Sequence, residues 1–440
     1  MKKILLLLLP AMGCAQPVPL SLERAVEIAL APSGNHRLAL VRESIASAEA
    51  RQRQARAAFL PQVEGAIAAS SQTRNLAAFG FQFPAMGLPG FSIPSFVGPF
   101  TVVDYRASAT QSIFDFASFS RYRTAKLQRQ VAESEVAAAR ESTAAQVARL
   151  YTLALRAEAA LSTAEANVAL AQRLEQLAQS QKAAGFGTGL DVNRAATELA
   201  NARQRQIEAQ NQVRRSKLEL ARALALDLSQ EILLTSRASD GTEAAPDAPA
   251  ALRTALDSRR DLLTTLRRRT ALEEQQRSIR AERYPSLAAA ADYGSIGDGT
   301  NQRATRSVGV QLRIPIFDGG RRAARVAEAG VQLRQEQIRE ADVRAQIELD
   351  VRLALDEWSS ARERVATALQ GRELAENELA QAERRLTAGI GDAIEVSTAQ
   401  TRLERARENY LSSLYQFNLA RIELAASTGT VESSVKGLLP

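Results

Sequence analysis

Few residues in this sequence could do chemistry. His36 is the sole histidine, Cys14 the sole cysteine, and there are three methionines. A transition-metal site built from soft ligands needs several such side chains converging on one point, and this inventory cannot supply them. His36 stands near the start of a helical segment, where a cap or surface role fits it better than catalysis. Gly185-Phe186-Gly187-Thr188-Gly189 is rich in glycine. It follows a helical segment rather than a strand and lacks the P-loop and Rossmann spacings, so it reads as a turn. The sequence therefore predicts a protein that is not an enzyme and calls for no cofactor and no metal. What remains are carboxylates beside two glycine turns, Ala184-Gly185-Phe186-Gly187 and Ala388-Gly389-Ile390-Gly391. Asp191 and Glu395 each fall in the first turn of the helix that follows, where an acid favours the helix N-terminus.

Those turns belong to a plan that is written twice. Gln111-Ser112-Ile113-Phe114-Asp115-Phe116 in the first half answers Ile314-Pro315-Ile316-Phe317-Asp318-Gly319 in the second. Past the turns, Asp191, Ala195, Leu199, Ala202 and Arg203 answer Glu395, Ala399, Leu403, Ala406 and Arg407. In each half a helical segment ends at a proline, Pro61 or Pro285. Two alternating segments follow, then a very long helix, the glycine turn and a shorter helix. Residues 118–184 contain neither proline nor glycine, which allows on the order of 100 Å of continuous helix. Residues 321–388 are similar, with Gly330 and Gly371 inside. Alanine- and leucine-rich seams, such as Leu150, Leu153, Leu161, Val168 and Leu174, suit helices packed as antiparallel hairpins.

The alternating segments are 63–72, 105–114, 287–293 and 307–314. Runs of about ten residues with period two fit membrane β-strands, and they also fit a small soluble β-layer. Phe59, Phe114, Phe116, Tyr284 and Phe317 gather near their ends, as in the aromatic girdles of membrane barrels. The loop inside the first strand pair runs from about Arg74 to Phe100. It holds Phe79, Phe81, Phe83, Phe91 and Phe96 among several prolines and glycines.

The chain opens with Lys2 and Lys3 before an apolar run and small residues, the pattern of an export signal. Cys14 lies at its end. Either it is acylated, as in a lipoprotein, or it is lost by cleavage after Ala15. No other apolar run approaches the length a membrane helix needs, so any membrane passage must be by β-strands. The formal charge is +7, but acids are interleaved with bases along the helices. That pattern describes solvated helix faces and excludes a nucleic-acid surface. The expected divisions are a signal at 1–15, a first repeat at 16–226, a connector at 227–250, a second repeat at 251–429 and a tail at 430–440.

With these features in place, the chain resembles the TolC family of outer-membrane efflux proteins over nearly its whole mature length. The most specific matches are Thr110-Gln111-Ser112-Ile113-Phe114-Asp115, the Pro-Ile-Phe-Asp-Gly-Gly run at 315–320, and Gly185 through Asp191-Val192 into Ala195 and Ala202-Arg203. The resemblance implies a mainly α protein with a small β part. Three subunits would each give four strands to a shared twelve-stranded barrel in the outer membrane, and their helical hairpins would form an α-barrel across the periplasm. It implies a passive duct for efflux or type I secretion, working with a periplasmic adaptor and an inner-membrane transporter. Gly185, Phe186, Gly187, Thr188, Gly189 and Leu190, with Gly389, Ile390 and Gly391, would be the adaptor-contacting tips. Glu395 falls on one of the family's ring aspartates, and Thr398 falls where relatives carry a second. Asp191 falls on a tip acid that bonds across helices in the closed state. In the best-known member an arginine two residues after the second glycine helps to hold the pore shut. That place is Asp392 here, or Gly391 with a one-residue shift, so the expected latch is missing and Asp392 joins the acidic set. The rival readings are a periplasmic adaptor, which normally carries one hairpin rather than two, and a structural coiled-coil protein, which needs no alternating strands.

Overall fold

The computed structural model describes residues 18–80, 96–185, 187–239, 246–388 and 390–439. Cys14 and the expected signal lie outside them, as do Phe186, Gly389 and residues 81–95. In chain order the elements are β1 (Val18–Leu20), α1 (Leu22–Leu30), α2 (His36–Ala57), β2 (Gln62–Asn75), β3 (Phe96–Phe114), α3 (Phe116–Ala183), α4 (Gly189–Ala223), β4 (Ile232–Leu234), α5 (Ala248–Ser258), α6 (Arg260–Ala281), β5 (Ser286–Gly297), β6 (Gln302–Arg313), α7 (Arg321–Thr387), α8 (Ala393–Thr428) and α9 (Val431–Leu438). A single 3₁₀ turn, Leu76–Phe79, follows β2. The long helices are the expected ones: α3 has 68 residues and α7 has 67, running through Gly330 and Gly371. His36 opens α2 and is exposed, while the cap is Asn35, whose Oδ1 accepts the Leu38 amide at 3.0 Å. The chain forms two compact units, both drawing on α3 and α7.

The helical unit comprises described residues within Met1–Ser44, Glu133–Leu266 and Arg339–Pro440. Its main core joins Leu20, Leu22 and Val26 to Val147 and Tyr151 of α3, Leu220 of α4 and Ile422 of α8. The connector takes part in this core, because Ile232–Leu234 pairs in parallel with Val18–Leu20 as a two-stranded sheet. Tyr151 is wholly buried beneath it. Its hydroxyl donates to the Leu20 carbonyl at 2.7 Å and accepts the amides of Ser236 at 3.1 Å and Thr235 at 3.3 Å. Within the tail expected at 430–440, Val431–Leu438 folds into α9. The Glu141 carboxylate accepts the amides of Val431 and Glu432, and Arg421 donates to the carbonyls of Leu438 at 2.6 Å and Gly437 at 2.7 Å. Elsewhere in the unit, Trp358 packs on Phe417 with ring centroids 5.4 Å apart.

The sheet unit comprises Ile45–Ala132 and Arg267–Ile338. It holds one antiparallel sheet in the order β2-β3-β5-β6. Register and the period of two sort its side chains onto two faces. One row runs Val63, Ala109, Ala291, Val308 and the next, on the opposite face, Glu64, Ser108, Asp292, Ser307. The first face adds Ile67, Tyr105, Tyr293, Val310 and Leu312, and its apolar side chains stand open: Ile67 is 75% and Val308 86% exposed. Arg306 interrupts it near the β5–β6 turn, where a long side chain can carry its charge towards water. The second face is polar. Arg106 bonds Asp292 on the neighbouring strand at 2.6 Å and Asp104 on its own at 3.0 Å, and Ser307 donates to Asp292. At the helix end of the sheet Phe116 lies between Phe114 and Tyr284, with centroids 4.6 and 5.2 Å away.

One expectation about this sheet needs correction. Residues 96–100 fall within the expected loop, yet β3 starts at Phe96, which pairs with Asn75. Gly98-Pro99 suits a loop better than a strand interior, because proline cannot donate to a ladder. The sheet accommodates the pair with a bulge, visible as a register shift between Gln72 and Arg74. At the other end, β6 stops at Arg313, one residue short of the expected boundary.

Tyr151→Phe removes a buried hydroxyl that bonds the Leu20 carbonyl and the Ser236 and Thr235 amides. It should destabilise the helical unit by about 1–3 kcal/mol, read as a lowered thermal midpoint with helical content unchanged at low temperature.

Candidate functional site

The two glycine turns are built alike. In the first, α3 ends at Ala183, Gly185 adopts φ +84°, and the Gly187 amide reaches back to the Gln181 carbonyl at 3.1 Å. In the second, the Ile390 amide bonds the Arg385 carbonyl at 3.1 Å. Gly187 and Gly391 hold equivalent places for the same reason. A Cβ on Gly187 would sit 3.0 Å from the Lys182 nitrogen, and one on Gly391 would sit 2.8 Å from the Leu386 nitrogen. The chain can close this tightly only without a side chain there.

The residues after each glycine cap the next helix. Thr188 is the N-cap of α4 and Asp392 that of α8, which puts Asp191 and Glu395 at the same third helical position. Their surroundings differ. Asp191 completes a capping box: the Thr188 hydroxyl donates to it at 2.6 Å, the Thr188 amide donates at 3.0 Å, and the Asp191 amide returns to the Thr188 hydroxyl at 3.2 Å. These bonds, with Arg194 at 3.8 Å as a smaller contribution, hold the Asp191 carboxyl below the usual aspartate range. Glu395 makes no such box. Its carboxylate lies 3.2 Å from the Arg385 guanidinium, which comes from the last turn of α7. Asp392 accepts the Ile394 amide at 3.1 Å.

The predicted residues thus divide into two groups. Asp191 lines a narrow cleft of about 50 Å³ with Leu177, Gln181 and Arg194 on the first hairpin and Leu386, Val396 and Gln400 on the second. Asp392, Glu395 and Thr398 are exposed and follow one another at three-residue steps from the N-cap into α8, outside that lining. Leu190 and Ile390 project from the tips, 57% and 70% exposed. Reading from the sequence missed Arg385 and Arg194. The signal was present, since bases favour the C-terminal turn of a helix and i,i+3 pairs form along one face. The resemblance places its latch after the glycines, whereas Arg385 precedes them. Deeper along the hairpins, Arg205 reaches the buried Glu404 at 2.8 Å, and Arg407 donates to Asn167 at 2.9 Å. Among the described residues no group of His, Cys, Asp and Glu could hold a metal ion, and no helix is long and apolar enough to cross a membrane.

Two long helical hairpins ending in glycine turns, in a chain that also folds a four-stranded sheet with one apolar face, define a mainly α protein with a small membrane-type β part. The profile of the outer membrane efflux protein family matches residues 28–226 and 251–430, and the chain belongs to that family. Membership sets aside the adaptor and structural coiled-coil readings and places the protein at the outer membrane. In sequence it is similar to the alkaline protease secretion protein AprF of Pseudomonas aeruginosa, 24% identical over 336 residues that cover 74% of this chain and 69% of AprF. In fold it is similar to the outer membrane protein VceC of Vibrio cholerae, with TM-score 0.74 and 19% identity over 93% of this chain and 96% of VceC. It is also similar to the outer membrane channel CmeC of Campylobacter jejuni, with TM-score 0.76 and 16% identity over 95% and 89%.

The Asp191 carboxyl is depressed in the folded state, so its capping contribution is full above the ordinary aspartate range. It is lost as pH falls through the lower folded value. Thr188→Ala should remove it at neutral pH, weakening the first turn of α4 by about 0.5–2 kcal/mol. Hydrogen-exchange protection at the amides of residues 190–192, measured against the intrinsic rate at each pH, should fall in the variant, and it should fall in the wild type on acidification in the same place.

Proposed function

We propose that this chain is one subunit of a trimeric outer-membrane duct, a passive exit for efflux or type I secretion opened at its periplasmic tips. The observation that carries the reading is the sheet. Its outer strands, β2 and β6, have no further strand partner among the described residues. A backbone edge left open in hydrocarbon costs several kcal/mol per group, so a membrane sheet has to close into a barrel. Four strands are too few, since membrane barrels start at eight. Copies of the chain must supply the rest, and the family resemblance favours three. The apolar face would then meet lipid, and the polar face with Arg106, Asp104 and Asp292 would line the lumen.

The tips support the other half of the reading. Asp191, Asp392, Glu395 and Thr398 would surround the narrowest opening, with Glu395 nearest the axis. The glycine turns, with the exposed Leu190 and Ile390, would offer small and apolar surface to the hairpin of a periplasmic adaptor, which would couple the duct to an inner-membrane transporter. AprF is named for protease secretion, which keeps protein cargo within the reading.

Membrane fractionation tests it. The wild type should be recovered from the outer membrane as a heat-modifiable trimer. Val310→Arg, on the apolar face, should impair insertion at a cost of about 2–4 kcal/mol. Gln311→Arg, one residue on and facing the lumen, should assemble normally. Equal behaviour of the two variants, or recovery of a soluble monomer, sinks the proposal.

A further inference from the structure

We infer that Arg385 determines the ionic preference of the periplasmic entrance, by pairing with Glu395 so that the constriction is not a ring of free carboxylates. This rests on the gate reading above and goes beyond it.

The geometry comes first. Arg385 spans the second turn from the end of α7 to the start of α8, with Nε 3.2 Å from one Glu395 oxygen and 3.4 Å from the other. Its Nη2 donates to the Ile390 carbonyl at 3.4 Å, inside the turn itself. The guanidinium is thus held to the one acid proposed to lie nearest the axis. The pair is about half exposed on both sides. An exposed pair contributes little to stability, so its consequence lies in the field it leaves at the opening. A carboxylate with a guanidinium in contact presents a dipole rather than a net charge over distances near a Debye length.

The repeat gives independent support. Aligning Gly185 with Gly389 puts Gln181 at the place of Arg385 and Arg194 at the place of Thr398. Each half therefore has one acid at the third helical position and one arginine beside it, but the arginine comes from a different helix. In the first half Arg194 follows its acid by one turn at 3.8 Å. In the second, Arg385 precedes its acid across the turn. Two unrelated placements reach the same local pairing.

The charges around the turns agree. Residues 178–194 carry Lys182 and Arg194 against Asp191. Residues 382–398 carry Arg384 and Arg385 against Glu383, Asp392 and Glu395. Four bases face four acids, so the tips as a whole are neutral. An entrance selective for cations through an acid ring needs an excess of carboxylate, and here the arginines remove it.

The test uses the full-length protein in planar bilayers, with reversal potentials measured across a KCl gradient and block measured with Mg²⁺ added on the periplasmic side. Arg385→Gln should raise the permeability ratio of K⁺ over Cl⁻ by about twofold or more and strengthen Mg²⁺ block, because it frees the carboxylates. Glu395→Gln should shift the ratio towards Cl⁻, and the double variant should return near the wild type. Arg385→Lys, which keeps the charge and changes the shape, should also stay near the wild type. If Arg385→Gln leaves the ratio unchanged while Glu395→Gln lowers cation preference by the same factor with or without Arg385, the inference is overturned and the gate reading stands. If neither single variant nor the double changes ratio or block, Glu395 is not at the constriction, and the gate reading falls and takes the inference with it.

Discussion

A backbone amide carried into hydrocarbon must find its partner within protein, and most of this molecule's organisation can be traced to that demand. Among the described residues no helix is long and apolar enough to cross a membrane. The chain's alternative is a sheet whose two faces are chemically opposite, with Val63, Ile67, Val308 and Val310 on one side and Glu64, Arg106, Asp292 and Ser307 on the other. Such a sheet is a poor soluble structure, because its large apolar side chains stand uncovered. In lipid the same face becomes the favourable one. Only the edges then remain costly, and in the proposed duct other copies of the chain meet that cost.

The helical unit answers a different constraint. Helices of 67 and 68 residues cannot bury a conventional core along their length. They rely on alanine and leucine seams and on cross-links such as Arg205–Glu404. The substantial apolar core is concentrated where β1, β4, α1 and α9 fold against the middle of α3 and the C-terminal parts of α4 and α8. Tyr151 and Arg421 tie short segments to long helices there by bonding backbone groups of those segments, the Leu20 carbonyl and the carbonyls of Gly437 and Leu438 among them.

At the tips, tight turning and charge are handled by neighbouring residues. Gly187 and Gly391 allow the chain to reverse. Thr188 and Asp392 then restart a helix, and the acids three residues on from each cap sit at equivalent places. Equivalence of position did not bring equivalence of partner. Asp191 turns inward to its own cap and a cleft between hairpins, while Glu395 stays exposed and finds Arg385.

Much of this was legible in the sequence because it depends on local rules. A run without proline or glycine from 118 to 184 has little choice but helix. Glycines at 185 and 187 have little choice but a turn, and strict alternation at 307–313 separates one face from the other. The duplicated order of segments made the hairpin plan visible without any contact information. The remainder was decided by partners distant in sequence. That Ile232–Leu234 would pair with Val18–Leu20, that 431–438 would fold into a helix under Glu141, and that Phe96–Val103 would join the sheet despite Gly98-Pro99 each depend on a segment far along the chain. The pairing of Glu395 shows the same over only ten residues. The sequence by itself determined that an acid would follow the glycine turn. Only the tertiary structure decided that an arginine would lie against it, because the turn folds α7 back on α8 and brings together two residues separated by a full reversal of the chain.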